Sequence, residues 1–88
     1  MAVPPKPVRL TVHARLQCAE RGASEQEVIQ AVREGTREPG RLGRTLCRLN
    51  LAFDRNWQGN WYAVKQVAPV IQEEAEEIIV VTVYTLCF

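Results

Sequence analysis

The one histidine of the chain, His13, lies in a segment with helical spacing and is the residue best suited to acid–base chemistry. At about 100° per residue, Gln17 and Glu20 fall on the same flank of that helix as His13. Arg21 lies one step further round. An imidazole beside a carboxylate can serve as a general acid or base, because the carboxylate orients the ring and adjusts its pKa. The same pattern also fits a half-exposed histidine that bonds to the backbone or to Glu20.

A second candidate group is a series of arginines that surrounds two glycines: Arg37, Arg41, Arg44 and Arg48. Guanidinium groups match the geometry of phosphate, and glycines allow a close approach of the backbone, so this segment could contact phosphate. The alternative interpretation is a solvated loop whose charge is partly neutralised by Glu34 and Glu38.

Five further residues each have a chemical and a structural interpretation. Trp57, Trp61 and Tyr62 could form a base-stacking platform, although aromatic residues near a hairpin more often pack in the core or across strands. Lys65 lies in the middle of a strand, where it would face solvent or form the floor of a site. Tyr84, on the last strand, is a candidate proton donor or a packed ring.

Metal and disulfide chemistry are not expected. The three cysteines, Cys18, Cys47 and Cys87, are odd in number, lack C-x-x-C spacing and are accompanied by a single histidine. They fit small buried side chains in a reducing compartment, so we expect a cytoplasmic protein with no metal and no other cofactor. The glutamates of residues 73–77 have no metal-ligand geometry and are interpreted as solubilising a turn.

Membrane insertion and secretion are not expected either. No apolar run approaches the roughly 18 to 20 residues that a membrane-spanning helix needs. Behind its single lysine, the N-terminus lacks the apolar segment of a secretory signal.

The charge is distributed unevenly along a chain whose net charge is only +1. Residues 1–55 carry ten Lys and Arg against six acidic residues, a balance of +4. Residues 56–88 carry one lysine against four glutamates, a balance of −3. The asymmetry permits a local basic surface, which nucleic-acid contact would require, on a nearly neutral protein.

Two short helices are predicted to position His13 and Arg21. Thr11 is a suitable N-cap, and Gly22 a suitable stop, for a first helix. The apolar positions of that helix, Val12, Leu16, Ala19 and Ala23, form one stripe that we expect to be buried. Ser24 and Glu27 have the spacing of a capping box, which begins a second helix that Gly35 ends.

Three strands are predicted after the helices, over residues 45–53, 61–71 and 78–88. Residues 36–44 are predicted as a loop that could hold a brief strand. Pro69 indicates an edge position or a bulge, and the last strand, apolar on both faces, is predicted to be central. The prediction is therefore an α+β domain over residues 10–88, with two N-terminal helices packed on a three- to four-stranded antiparallel sheet. Residues 1–9, rich in proline, are predicted as an extended lead-in.

Two segments resemble a small bacterial family of domains of unknown function. They are Leu10-Thr11-Val12-His13-Ala14 and the stretch from Glu20-Arg21-Gly22 to Val28, and the strand Val80-Val81-Thr82-Val83-Tyr84 is similar to the family's ending. The family is grouped with RelE-like and BrnT-like toxins in the wider barnase-like nuclease fold. At Gln17, four residues after the histidine, the family typically has an arginine, so this chain departs from the pattern there.

The resemblance implies metal-independent cleavage of RNA by the neighbouring 2′-hydroxyl, as in the toxin of a toxin–antitoxin system. His13, Arg21, Lys65 and Tyr84 would then be the catalytic residues, with Arg44 and Arg48 binding RNA phosphate. The implied partners are RNA and a cognate antitoxin protein, and the oligomeric state, with a dimer as one option, stays open.

Two alternatives to catalysis remain at this point. One is a non-catalytic module of the same fold that binds a protein or RNA through its sheet, which Gln17 and the near-neutral net charge favour. The other is an accessory subunit.

Overall fold

The computed structural model describes residues 5–88, in which two helices pack against a five-stranded sheet. In chain order the elements are β1 (Val8–Leu10), α1 (Val12–Arg21), α2 (Glu25–Glu34), β2 (Thr36–Pro39), β3 (Thr45–Trp57), β4 (Asn60–Glu73) and β5 (Ile78–Cys87). A short 3₁₀ turn, Arg41–Gly43, separates β2 from β3. No helix among these residues is long and apolar enough to cross a membrane.

The sheet is larger than the sequence predicts, and it is mixed. Its strand order is β1-β5-β4-β3-β2, and β1 runs parallel to β5 with Leu10 opposite Val80. The α+β class is right, but the prediction of three to four antiparallel strands is wrong. The two additional strands have three and four residues. Strands so short carry too little alternation to be detected, and both lie beside prolines in segments predicted as lead-in and loop.

Local signals fix both helices, and these predictions are confirmed. The Thr11 side chain accepts a hydrogen bond from the Ala14 N–H at 3.1 Å, and Gly22 ends α1 in the left-handed conformation (φ 71°). The Ser24 and Glu27 side chains each accept the other's backbone N–H, which completes the capping box. Caps of this kind each stabilise a helix by about 1 kcal/mol.

The predicted orientation of α1 is wrong. The stripe expected to be buried faces solvent, with Val12 75% exposed and Leu16 59% exposed. The buried positions of α1 are instead Ala14, Gln17 and Cys18. Small side chains let the helix backbone approach the sheet closely, and Gln17 supplies hydrogen bonds that an apolar residue could not.

The core lies between the helices and the central strands. α2 contributes Val28, Ala31 and Val32, all fully buried, and β3, β4 and β5 contribute Cys47, Val67, Ile71, Val80 and Val83. Burial of each large apolar side chain stabilises the fold by roughly 1.5–3 kcal/mol. Pro69 lies in the central strand β4, not at an edge, and a register shift between β4 and β5 follows it at Val70/Ile71.

The last strand, β5, is central over only part of its length. Residues 78–80 have β1 on one side and β4 on the other. Beyond Val80, no described strand pairs with β5 on the β1 side, and α1 packs along that edge. The predicted central position is therefore right for the start of β5 and wrong for its second half.

Candidate functional site at the open edge of the last strand

Helix α1 covers the open edge of β5 with polar side chains at Val83. The Gln17 Oε1 accepts a hydrogen bond from the Val83 N–H at 2.8 Å and another from the Thr82 hydroxyl at 2.6 Å. One turn later, the Arg21 Nη1 donates to the Val83 carbonyl at 2.8 Å. The two side chains together satisfy both backbone groups of Val83, as a neighbouring strand would.

Gln17 is therefore a structural residue that sequence reasoning treated only as a missing arginine. It is 8% exposed, and its acceptor oxygen is what the Val83 N–H needs. Arginine has no acceptor, so it could not make this bond. The sequence signal that could have revealed this role is the spacing of Gln17 and Arg21. Residues four positions apart lie on the same face of a helix, so both side chains can reach one residue of a neighbouring strand.

Arg21 and Tyr84, two of the predicted catalytic residues, do lie together. The Arg21 guanidinium carbon is 5.2 Å from the centre of the Tyr84 ring, in a cation–π arrangement. The Thr85 hydroxyl donates to the Arg21 carbonyl at 2.8 Å and fixes the end of α1 against β5. The Tyr84 side chain is nonetheless half exposed.

His13 lies near the same strand edge, and no carboxylate among residues 5–88 forms an ion pair with it. Its ring is exposed, and its Nε2 is 3.5 Å from the Thr82 hydroxyl. The Thr82 hydroxyl already donates to Gln17, so its oxygen remains free to accept from the imidazole. In the described part of the chain, Glu20 makes no hydrogen bond to His13. The contact between these two side chains that the helical spacing suggested, whether catalytic or structural, therefore does not form.

Lys65 does not join the other predicted catalytic residues. It is buried, and its Nζ donates to the Gly22 carbonyl at 2.9 Å and to Glu27 at 2.8 Å. Burial raises the pKa of the Glu27 carboxyl, but the hydrogen bonds from Lys65 and Ser24 outweigh it and hold that pKa below its ordinary value. Lys65 thus anchors the turn between the helices to the sheet. It neither faces solvent nor forms the floor of an open site, the two positions that the sequence suggested.

Arg48 is also engaged by protein groups. Its guanidinium donates to Glu38 at 3.0 and 3.1 Å and to Gln66 at 3.0 Å. It lies on β3, and β4 separates it from the strand that carries Tyr84. The structure therefore does not bring Arg48 to His13 and Arg21.

Arg44 and Tyr84 line the same cleft. Together with Arg41 they line an open cleft of about 270 Å³ whose other walls include Leu46, Val70 and Thr82. The turn that holds the two arginines bends through left-handed conformations at Leu42 (φ 58°) and Gly43 (φ 73°). A second open cleft, of about 390 Å³, lies on the Arg21 side of Tyr84 and is also lined by Trp57 and Tyr62.

The tryptophans have different surroundings. A Cβ atom added at Gly22 would lie 2.7 Å from the Trp57 ring, so this ring packs against the helix end and depends on a glycine there. Trp61 is exposed. The packing interpretation is therefore right for Trp57, which also forms part of the wall of the larger cleft.

Ion pairing separates the basic residues into two groups. Six of them bind carboxylates: Lys6, Arg9, Arg15, Arg37, Arg48 and Lys65. Two of the acidic partners, Glu73 and Glu77, come from the run predicted only to solubilise a turn. Over residues 5–88, the remaining basic side chains form no ion pair: Arg21, Arg33, Arg41, Arg44 and Arg55. Three of these five, Arg21, Arg41 and Arg44, line the two clefts beside Tyr84.

Two of the three cysteines, Cys18 and Cys47, are buried in the core. Burial raises the pKa of the Cys18 and Cys47 thiols, which disfavours the thiolate at neutral pH. All three cysteines are free, and Cys87 is only partly buried. In the described ranges, no three His, Cys, Asp or Glu side chains are grouped so that they could hold a metal ion.

Comparison with known proteins adds no relative. No family model, no curated protein and no solved structure matches this chain. The resemblance to the toxin-related family consequently stays a prediction. The function proposed below therefore depends on the geometry around Tyr84. Arg21 and, through Thr82, His13 lie at the open edge of β5, and Arg44 lines a cleft together with Tyr84. Lys65 and Arg48 are held elsewhere.

Proposed function

We propose that this chain binds single-stranded RNA at the Tyr84 site, defined as Tyr84 with Arg21, Arg41 and Arg44. The observation that carries the proposal is the clustering of arginines without carboxylate partners around one exposed aromatic ring. Guanidinium groups bind phosphate oxygens in pairs, and an exposed ring offers a face on which any base can stack.

The distribution of free charge favours this location over the rest of the surface. A cation already bound to a carboxylate contributes little net positive field, since the two charges nearly cancel at a distance. The six paired cations therefore leave the nearly neutral chain with local positive charge chiefly where arginines are free. Arg41 and Arg44 line one cleft with Tyr84, and Arg21 lines the other, so each cleft beside the ring offers a guanidinium group to phosphate.

Charge-matched variants test this proposal. Arg41→Ala and Arg15→Ala each remove one arginine, but Arg15 is an exposed partner of Glu25 and lies outside the Tyr84 site. Binding of a labelled single-stranded RNA is measured by fluorescence anisotropy at several salt concentrations. Arg41→Ala should weaken binding several-fold and flatten the dependence of log affinity on log salt by about 0.7, the loss of one phosphate contact. Equal effects of the two variants, or no RNA binding by the wild type, would contradict the proposal.

A second candidate function is cleavage of the bound RNA. The observation that favours it is the 3.5 Å contact between the His13 imidazole and Thr82, which itself lines the Arg44 cleft. In this version His13 takes the 2′-hydroxyl proton, Tyr84 donates a proton to the leaving oxygen, and Arg21 with Arg44 stabilises charge on the phosphate. Lys65 has no part in it.

Cleavage is tested separately from binding. Structured and unstructured RNAs are incubated with the protein in chelator, and the products are resolved on a gel. Cleavage that His13→Ala abolishes would support catalysis. Binding without turnover would leave the chain as an RNA-binding module and remove the catalytic candidate. Growth arrest on expression, relieved by the product of a neighbouring gene, would support the antitoxin partner that the resemblance implies.

A further inference from the structure

The second half of β5 has a free hydrogen-bonding edge. In a strand, the backbone groups of alternate residues point to the same side. The backbone N–H and C=O of Val83 point towards α1. The backbone groups of Phe88 point the other way, since its N–H donates to the Val64 carbonyl of β4 at 2.9 Å and its carbonyl accepts from the Val64 N–H at 2.8 Å. Thr85 and Cys87 share the parity of Val83, so their backbone groups point away from β4. No described strand receives them.

The side chains along this edge have a symmetric pattern. Tyr84, Leu86 and Phe88 alternate with the small residues Thr85 and Cys87, so the order aromatic, Leu, aromatic is the same in both directions. Tyr84 is 52% exposed, Leu86 59% and Phe88 55%, which makes this the longest run of large exposed apolar side chains on any described strand. Such a pattern suits a strand that pairs antiparallel with an identical strand.

We propose that the chain forms a homodimer in which β5 pairs antiparallel with β5 of a second copy, centred on Leu86. Leu86 then lies opposite the partner's Leu86, and Tyr84 lies opposite the partner's Phe88. Thr85 and the partner's Cys87 become a hydrogen-bonded pair that exchanges both backbone bonds, because both residues point outward. Cross-strand aromatic and aliphatic pairs of this kind stabilise a sheet.

The register follows from the contacts of α1. Parity also permits a pairing centred on Thr85, but that register requires the backbone groups of Val83, which Gln17 and Arg21 already occupy. A pairing centred on Cys87 brings fewer of the described residues opposite one another than a pairing centred on Leu86. The centre at Leu86 uses every free backbone group of residues 84–88.

The opposite edge of the sheet does not compete for the same role. Strand β2 has four exposed residues, among them Arg37, Glu38 and Pro39. Charged side chains and proline are features that discourage edge-to-edge pairing. The dimer therefore forms a continuous sheet through β5. Thr85, Leu86 and Cys87 also line the cleft on the Arg21 side of Tyr84, so the partner strand lies against that cleft and not against the cleft of Arg41 and Arg44. Dimerisation does not depend on RNA binding at the Tyr84 site.

Disulfide trapping tests both the dimer and its register. In a Cys87→Ser background, Leu86→Cys places two cysteines at a non-hydrogen-bonded pair with Cα atoms about 4.5 Å apart, a distance that a disulfide spans. Phe88→Cys in the same background is the control, because its two cysteines lie about 13 Å apart at roughly 3.3 Å per residue. Cys18 and Cys47 are buried in both proteins.

The expected result in a glutathione buffer is a cross-linked dimer for Leu86→Cys and none for Phe88→Cys, with circular dichroism confirming that both fold. Equal cross-linking would overturn the register. Sedimentation of the unmodified protein should show mass rising to twice that of the monomer with concentration, and a monomer throughout would overturn the dimer. Leu86→Glu and Leu86→Lys should each be monomeric alone and associate when mixed; failure to associate would also overturn the pairing.

Discussion

Gln17 accepts the backbone N–H of Val83 at 2.8 Å, and this bond joins the first helix to the unpaired part of the last strand. It explains why α1 presents Ala14, Gln17 and Cys18 to the sheet and leaves Val12 and Leu16 in solvent. It also places Arg21, one turn later, at Tyr84. Together with the bonds between Arg21 and the Val83 carbonyl and between Thr85 and the Arg21 carbonyl, it holds Arg21 at the Tyr84 site.

Replacing Gln17 with arginine should destabilise the fold. Arginine cannot accept the Val83 N–H, and an unsatisfied buried donor costs about 1–3 kcal/mol. The free energy of unfolding is measured by urea denaturation, with Leu16→Arg as the matched control because Leu16 is exposed. Gln17→Arg as stable as Leu16→Arg would show that the bond to Val83 does not stabilise the helix.

The orientation of α1 gives a second pair of variants. Leu16→Glu should change the free energy of unfolding by less than about 0.5 kcal/mol, since surface substitutions usually do. Ala14→Val should cost about 1–3 kcal/mol, because Ala14 is fully buried and a larger side chain would force α1 away from β5. The reverse ranking in thermal or urea unfolding would mean that the apolar stripe is the buried face after all.

Lys65→Met should reduce stability by about 2–3 kcal/mol. Removal of one partner of a buried ion pair leaves the other without compensation. Because the Glu27 side chain is 28% exposed, the effect should be smaller than for a fully buried pair. The single variant is compared with the double variant Lys65→Met/Glu27→Gln, because the double variant leaves no uncompensated charge. The double variant should recover part of the loss, and no recovery would indicate that Lys65 acts mainly by packing against Phe53.

The Lys65–Glu27 pair also predicts a pH dependence. The pKa of Glu27 is lower in the folded protein than in the unfolded chain, so its contribution is present above the unfolded value near 4.3 and is lost as the pH falls through the folded value. As the pH is lowered from about 5 towards the folded pKa, the free energy of unfolding of the wild type should therefore decrease. Glu27→Gln should show a shallower fall over the same range; parallel curves for the two proteins would contradict the assignment.

Sequence patterns predict the parts of this fold that depend on neighbours in the chain. Thr11, Gly22 and Ser24 act within one helical turn, so the helix boundaries could be predicted. The three longer strands were also found, because their alternation extends over many residues. The resemblance to a family placed Arg21 and Tyr84 in one set of catalytic residues, but no pattern in the sequence indicated that the two side chains are in contact.

The remaining features depend on contacts that the sequence does not display. Gln17 is buried because the Val83 N–H needs a partner, and that need exists only because β1 ends at Leu10. The burial of Lys65 follows from the position of Glu27, 38 residues away in sequence. Neither relationship leaves a periodic pattern, so from the sequence Gln17 was treated as a missing arginine and Lys65 was placed in solvent or on the floor of a site.

The most direct test of RNA binding at the Tyr84 site is the affinity of a labelled single-stranded RNA for Tyr84→Ala and Tyr84→Phe. Stacking of one base is worth about 1–3 kcal/mol, so Tyr84→Ala should weaken binding by roughly 5- to 150-fold, whereas Tyr84→Phe keeps the ring and should bind within about twofold of the wild type. Equal affinity of all three proteins would contradict the account.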